Sequence, residues 1–415
     1  MMVTPSALLP ERIFLGNRRW VEGKALCIAA GKIVSVVDPV GLSRRHKVIE
    51  LPGVALLPGL VDAHTHLEYT DASFKKPARP SFVAWLNAIK SWKAKRSERD
   101  VANSLKRGVD QLLKSGVVAV GDHYCGAKIP RELTRSPLKG VVFHEAIGLN
   151  PSKAPKILAA MKIRRTRFSS SNLRFGVALH APYSVSALLA RETLSWVKAQ
   201  SIPLSMHVGE SREEGELFRH ADNDLARWLQ TQTGMSFGVP RGKDLFAYLE
   251  GLDVWQARLQ TVHMNLAKQR HLRWMRPKRL SVVYCPKSHE YFRHPRFSLE
   301  LFLHKGYCVA LGTDSLASND ALNMWEELRL AQSLHPSIPL ETLWDMATVH
   351  GARSLGLEKS GKIHPGHCAD LIGIPASRTR HPLEEVFRHT GDVAFSMIDG
   401  KVCARTRQAG SLLLR

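Results

Sequence analysis

His64 and His66 stand two residues apart at the end of the apolar run LPGLVDAHTHLEY, residues 57 to 69. Side chains alternate along a strand with period 2, so both imidazoles lie on one face. That spacing suits a single metal ion. Two further donors end later apolar runs: His207 in IPLSMHVGE and Asp314 in LGTDSLASN. Three imidazoles and one carboxylate suit a borderline divalent ion, most often zinc, with Fe²⁺ or Mn²⁺ as alternatives. A position left for water makes such a site catalytic, because the ion lowers the pKa of that water toward about 7.

Two more residues stand where they can help. Glu210 follows His207 by three positions, just past a strand end, and a carboxyl group there suits proton transfer. His263 ends the run RLQTVHMN and is placed to orient or polarise the attacking water rather than to bind the ion. A lone histidine at a strand end is ordinarily structural. Several on one rim are harder to explain that way, because each buried polar group is costly unless paired.

Something must bring these residues together. Eight short apolar runs alternate with helical patterns: 56–64, 116–123, 140–148, 174–182, 202–210, 258–265, 280–288 and 307–315. Strands that are apolar on both faces and separated by helices indicate a buried parallel sheet. Eight such units predict an α/β fold, a closed (β/α)8 TIM barrel. Almost every run ends in a polar residue, His123, His144, Glu145 and His180 among them, and the C-terminal rim of a barrel carries its active site. Residues 320–335 read as a helix covering the barrel. The chain ends differ: 9–54 and 360–415 read as short strands with glycine turns at Gly31, Gly361, Gly366 and Gly400. The expected division is a small β-sandwich domain from 1–54 and 360–415, beside a hydrolase barrel over 55–359.

Composition narrows the function class. No stretch approaches the roughly 20 apolar residues of a membrane helix. The N-terminal residues lack the pattern of a secretory signal, and six irregularly spaced cysteines do not form a disulfide framework, so the expected compartment is the cytoplasm. Cys125, Cys285 and Cys308 read as packing residues. Lys plus Arg is 59 against 37 for Asp plus Glu, a net charge of +22. No zinc-finger, RRM-type or helix-turn-helix signature accompanies that charge, so nucleic acid is not the expected partner.

Taken together, LPGLVDAHTH, HVGES, VHMN and LGTDSLASN resemble the amidohydrolase superfamily, in particular its mononuclear-metal deaminases and triazine-type chlorohydrolases. TVHGARSLGL followed by GKIHPGHCADL is similar to that family's return into its β-sandwich. The resemblance implies His64, His66, His207 and Asp314 as ligands of one zinc ion. It implies Glu210 as the acid that protonates a ring nitrogen, His263 as a helper of the nucleophile, and Asp314 as the group that moves the water's proton to the leaving group. Binuclear members carry a carboxylated lysine at the end of the fourth strand, or in some members a different bridging ligand. Here that position reads His180-Ala-Pro-Tyr183-Ser184, which favours one metal. HLEY, the Phe82 to Trp85 segment, HAPYS and CPKSHEYF are similar to the adenosine-type deaminases that act on aminodeoxyfutalosine, S-adenosylhomocysteine or methylthioadenosine. Guanine, cytosine and pterin deaminases and triazine hydrolases share the constellation. The implied substrate contacts are Glu68 to ribose hydroxyls, Trp85 on the base, and His180. A homodimer is a family-based expectation, as is menaquinone biosynthesis as the setting. The rival reading is a metal-free interaction or nucleic-acid-binding scaffold, which should lack ligands that are all present here.

Overall fold

The computed structural model describes residues 5–16, 18–72, 74, 81–236, 242–376 and 382–405. Eight parallel strands lie side by side in chain order: Leu60–Thr65, Val117–Tyr124, Lys139–Ala146, Leu173–Leu179, Leu204–Val208, Leu259–His263, Leu280–Tyr284 and Cys308–Leu311. A parallel bridge between Thr65 and Asp314 joins the eighth unit to the first and closes the barrel. Each strand overlaps one of the eight apolar runs, the last four lying wholly inside and the first four overrunning by one residue. Their interiors are buried throughout, as in Val117–Val120 and Val141–Phe143, because helices cover the outside.

Local sequence starts and stops these elements. The helix Glu98–Lys114 opens on a capping box in which Ser97 and Asp100 satisfy each other's backbone N–H groups, and it buries Leu105, Val109 and Leu112 against the barrel. The expected helix at 320–335 forms as Met324–Leu334, because the Asn323 side chain caps it by accepting from the Trp325 amide. The eighth run is strand only to Leu311. Beyond it the chain turns, with Asp314 at a left-handed φ of 57°. Gly312 allows the close approach there, since a Cβ on it would stand 2.7 Å from the His64 carbonyl oxygen. On the fifth strand's exit, Ser211 caps the helix Arg212–His220. The Glu214 carboxyl reaches back to accept from the Glu210 amide at 2.8 Å.

Both chain ends build one further sheet. Its strand order is Lys401–Arg405, Phe395–Ile398, Leu371–Pro375, Lys47–Pro58, Ser6–Phe14, Ala25–Ala29 and Lys32–Val37, with Trp20–Glu22 paired to Ser6–Phe14. A bridge from Lys32 to Cys368 folds the sheet back on itself around Leu8, Ile13, Leu26, Leu56 and Phe395. All four expected glycine turns have positive φ: 75° at Gly31, 80° at Gly361, 81° at Gly366 and 74° at Gly400. Lys47–Pro58 runs across position 54, and Gly59 alone separates it from the first barrel strand.

Lys139, at the start of the third barrel strand, ties this sheet to the barrel. Its ammonium donates to Asp370 at 3.0 Å and to Asp399 at 2.8 Å. Asp370 is almost fully buried, so removing its partner strands a charge. We expect Lys139→Met to cost about 3 kcal/mol in denaturant unfolding, and a loss under about 1 kcal/mol would rule out this role. Glu214 gives a second expectation. Burial pushes its carboxyl from 4.5 up to about 8, against the backbone N–H groups that favour the ion. A raised folded-state pKa contributes stability that is complete below pH 4.5 and lost as the pH rises through 8. Melting temperatures of Glu214→Gln should therefore fall less than wild type across that window. Parallel curves would contradict this.

Candidate active site

The barrel seam sets the site. Asp314 N donates to the His64 carbonyl at 3.0 Å, and Thr65 Oγ1 donates to the Asp314 carbonyl at 2.9 Å. One residue back, the Asp62 carboxylate takes Thr313 N at 3.0 Å and Thr313 Oγ1 at 2.6 Å. These contacts bring Asp314 Oδ1 to 3.5 Å from His64 Nε2 and 3.8 Å from His66 Nε2. The other oxygen, Oδ2, accepts from Ser288 Oγ at 2.6 Å and Ser318 Oγ at 2.9 Å. Asp314 is thus held on one side by hydroxyls and presents the other side to the imidazoles.

The imidazoles converge. His64, His66, His123 and His207 each offer a ring nitrogen within 4.8 Å of one another, and His64, His263 and Asp314 form an overlapping group. His207 Nδ1 donates to the His180 carbonyl at 2.8 Å, which leaves Nε2 as the free lone pair. His64 Nε2 is buried with no hydrogen-bond partner. A buried orphan nitrogen facing a carboxylate and two more imidazoles fits a divalent cation, and so does the N/O donor set. Burial lowers His66 and His207 well below the ordinary histidine range, so both rings are neutral and able to ligate.

Electrostatics separate the two carboxyl groups. Glu210 is buried beside His263, with Oε1 3.7 Å from Nε2. Burial, reinforced by Asp314, pushes Glu210 well above its usual pKa, which favours the protonated acid. Burial also opposes ionisation of Asp314, but the facing imidazoles, His64 first, hold its carboxyl well below the usual range. His263 is lowered to about 4 by burial. An acid and a base of opposite state therefore face one cluster.

The remaining expected contacts sit around this centre. His180 places its ring 5.3 Å from that of His207, with Nδ1 bonded to Ser184 Oγ at 2.7 Å. Glu68 is buried, accepts from the Cys125 amide at 3.1 Å and lies 3.8 Å from the Lys93 ammonium. Trp85 donates its indole N–H to the Ala317 carbonyl at 2.8 Å and stacks on Phe82. Neither belongs to the ligand cluster. Cys285 and Cys308 are buried, as read from the sequence.

Several contributors escaped the sequence reading. Ser288 and Ser318 hold Asp314, and their signal is the i+4 spacing of Asp314 to Ser318 plus a serine in the preceding unit. His123, placed on the rim by the sequence but without a role, points inward and joins the cluster. His144, one strand over, points outward and stacks on Phe175 with ring centroids 4.6 Å apart, so it is no part of the rim chemistry. Glu145 faces inward, 4.0 Å from His123 Nδ1. Among the described residues, no helix is long and apolar enough to cross a membrane.

Residues 55–403 match the model of the amidohydrolase family. The aminodeoxyfutalosine deaminase of Deinococcus radiodurans is 31% identical over 322 residues, 75% of this chain and 76% of that protein. The 5'-deoxyadenosine deaminase of Methanosphaera stadtmanae is 24% identical over 422 residues, 97% of this chain and 94% of that protein. The crystal structure of Helicobacter pylori aminofutalosine deaminase in complex with methylthio-coformycin matches with a TM-score of 0.84 at 25% identity, over 96% of this chain and 100% of that one. By fold, site geometry and sequence, the chain belongs to the amidohydrolase family.

Proposed function

We propose that this protein is a hydrolytic deaminase of an adenosine-type nucleoside, with aminodeoxyfutalosine as the leading substrate. The observation that carries the reaction class is the placement of two buried carboxyls on one imidazole cluster, Asp314 against His64 and His66 and Glu210 against His263. The Deinococcus and Helicobacter relatives support the substrate. His64, His66, His207 and Asp314 are our proposed ligands of one zinc ion. When bound there, such an ion supplies Lewis acidity that brings a neighbouring water toward a pKa of about 7. The setting proposed is cytoplasmic small-molecule metabolism.

The chain's own groups then move the protons. Asp314 accepts one proton from the attacking water as the oxygen joins the ring carbon that bears the amino group. Glu210 gives its proton to the adjacent ring nitrogen, where the electron pair displaced from the C=N bond ends as N–H. His263, neutral and beside Glu210, orients the attacking water between the two carboxyls. As the C–N bond breaks, Asp314 returns its proton to the amino group and ammonia leaves. The hydroxyl proton of the adduct passes to Glu210 and restores the acid. His180, with Nδ1 engaged by Ser184, has Nε2 for the substrate. We propose Glu68 for the ribose hydroxyls and Trp85 as a wall of the base pocket.

Asp314→Asn and Glu210→Gln should each lower kcat/KM for ammonia release by about a thousandfold or more, with unchanged circular dichroism. Activity within about tenfold of wild type in either variant would refute its assigned role. An ammonia-release panel of aminodeoxyfutalosine, methylthioadenosine, S-adenosylhomocysteine, 5'-deoxyadenosine, guanine, a pterin and a triazine should favour the nucleosides. Preference for guanine, the pterin or the triazine would overturn the substrate reading. Chelation should abolish turnover and zinc restore it, while activity that survives exhaustive chelation would argue against the metal site.

A further inference from the structure

A second concavity lies at the opposite end of the barrel. It measures about 670 Å³ and opens among Leu204, Leu259, Leu280 and Cys308, the first residues of barrel strands five to eight. The terminal sheet seals the other half of that floor, where Gly59 N donates to the Asp370 carbonyl and Lys139 reaches Asp370 and Asp399. Among the described residues, the half under strands five to eight has no such cover.

The lining is basic. Arg174, Lys198, Arg258, Lys278, Arg279 and Arg353 contribute to it, and Glu358 is the only acid among its lining residues. Glu358 pairs with Arg258 at 3.6 Å, with both side chains largely exposed. Among the described residues, Lys198, Lys278 and Arg353 have no ion-pair partner. Arg174 donates to the Leu355 carbonyl, and Arg279 donates to the Gln256 carbonyl at 2.5 Å; a guanidinium with one such contact keeps further N–H donors. Burial and the nearby Arg258 charge both disfavour the ionised form of Arg174, so six cations crowd a hollow that holds a single carboxylate. Like charges gathered in one hollow are unfavourable alone and favourable once an anion neutralises them.

The hollow is also closed above by polar chemistry. Its lining includes Phe143 and Gln260. Gln260 Oε1 accepts from Ser205 Oγ at 3.0 Å. That uses the hydroxyl proton, so His123 Nε2 donates to Ser205 Oγ, also at 3.0 Å. The His123 ring lies 4.4 Å from that of His64. A column of three side chains therefore runs from the hollow to the base of the imidazole cluster.

We propose that this floor hollow is a binding site for a di- or triphosphate group of a small molecule, separate from the catalytic rim. Planar guanidinium forks match phosphate oxygens in pairs, and the volume is that of a small-ligand pocket, not of a flat face for a polynucleotide. The group can be free pyrophosphate or part of a nucleotide, in which case the half-buried Pro203, Ala257 and Pro277 offer apolar surface to the remainder.

Calorimetric titration of the zinc-loaded enzyme with pyrophosphate and with ADP, at fixed ionic strength, tests this. The expected result is saturable binding at one site per chain, weakened about a hundredfold in Arg258→Glu/Arg353→Glu, with ammonia release retained. Tighter binding of ADP than of pyrophosphate would identify a nucleotide, and the reverse the free anion. Should that variant fail to fold, Lys198→Glu/Lys278→Glu changes two exposed side chains and should also weaken binding. The proposal is overturned if neither probe saturates, or if a folded variant binds as wild type does, which would put the anion at the catalytic centre. Binding of transfer RNA with no binding of either small probe would overturn it too.

Discussion

The closure of the barrel between Thr65 and Asp314 is the contact on which the rest of the site depends. It joins residues from opposite ends of the barrel sequence and fixes His64, His66 and Asp314 in one small volume. Asp62 and Thr313 lock the layer beneath, and Gly312 lets the two backbones approach. Asp314 adopts a left-handed backbone that a side chain rarely takes, as do His263 and Met264. Such conformations persist only where their surroundings over-determine them, and here a two-sided hydrogen-bond frame does so.

Burial is the second determinant, and by itself it would treat the carboxyls alike. It raises Glu210, Glu214 and Asp62, and it opposes ionisation of Asp314 as well. The neighbours make the difference. Asp314 meets imidazoles and two serine hydroxyls, whereas Glu210 meets other carboxyls and a neutral histidine. One buried cluster therefore pushes its two carboxyls in opposite directions, Glu210 toward the acid and Asp314 toward the carboxylate.

Much of this was legible in the sequence, for identifiable reasons. Strands apolar on both faces stand out when helices separate them, so all eight barrel strands were found and their order followed. The His64–His66 spacing, and Glu210 three residues beyond His207, mark themselves by period and position. The same two-faced apolarity hides direction. Nothing in GVVAVGDH or GVVFHEAIG tells that His123 turns inward and His144 outward, because neither strand has a polar face to orient it. Ser288, Ser318 and Ser205 were missed for another reason. Serines are common, and these acquire meaning only through partners far away in the chain. The floor hollow was illegible because its lining comes from the starts of several strands and the helix ends between them.

The interleaving of the two chain ends has a consequence for synthesis. Lys47–Pro58 is a central strand of the terminal sheet, yet one of its edges pairs only with Leu371–Pro375. On the ribosome, that edge waits with open backbone groups until nearly the whole barrel has been made. A truncated product would carry it permanently, ready to join any strand it meets. Leu371–Pro375 thus acts as the seal on Lys47–Pro58, and a chain cut short between the two leaves that edge open.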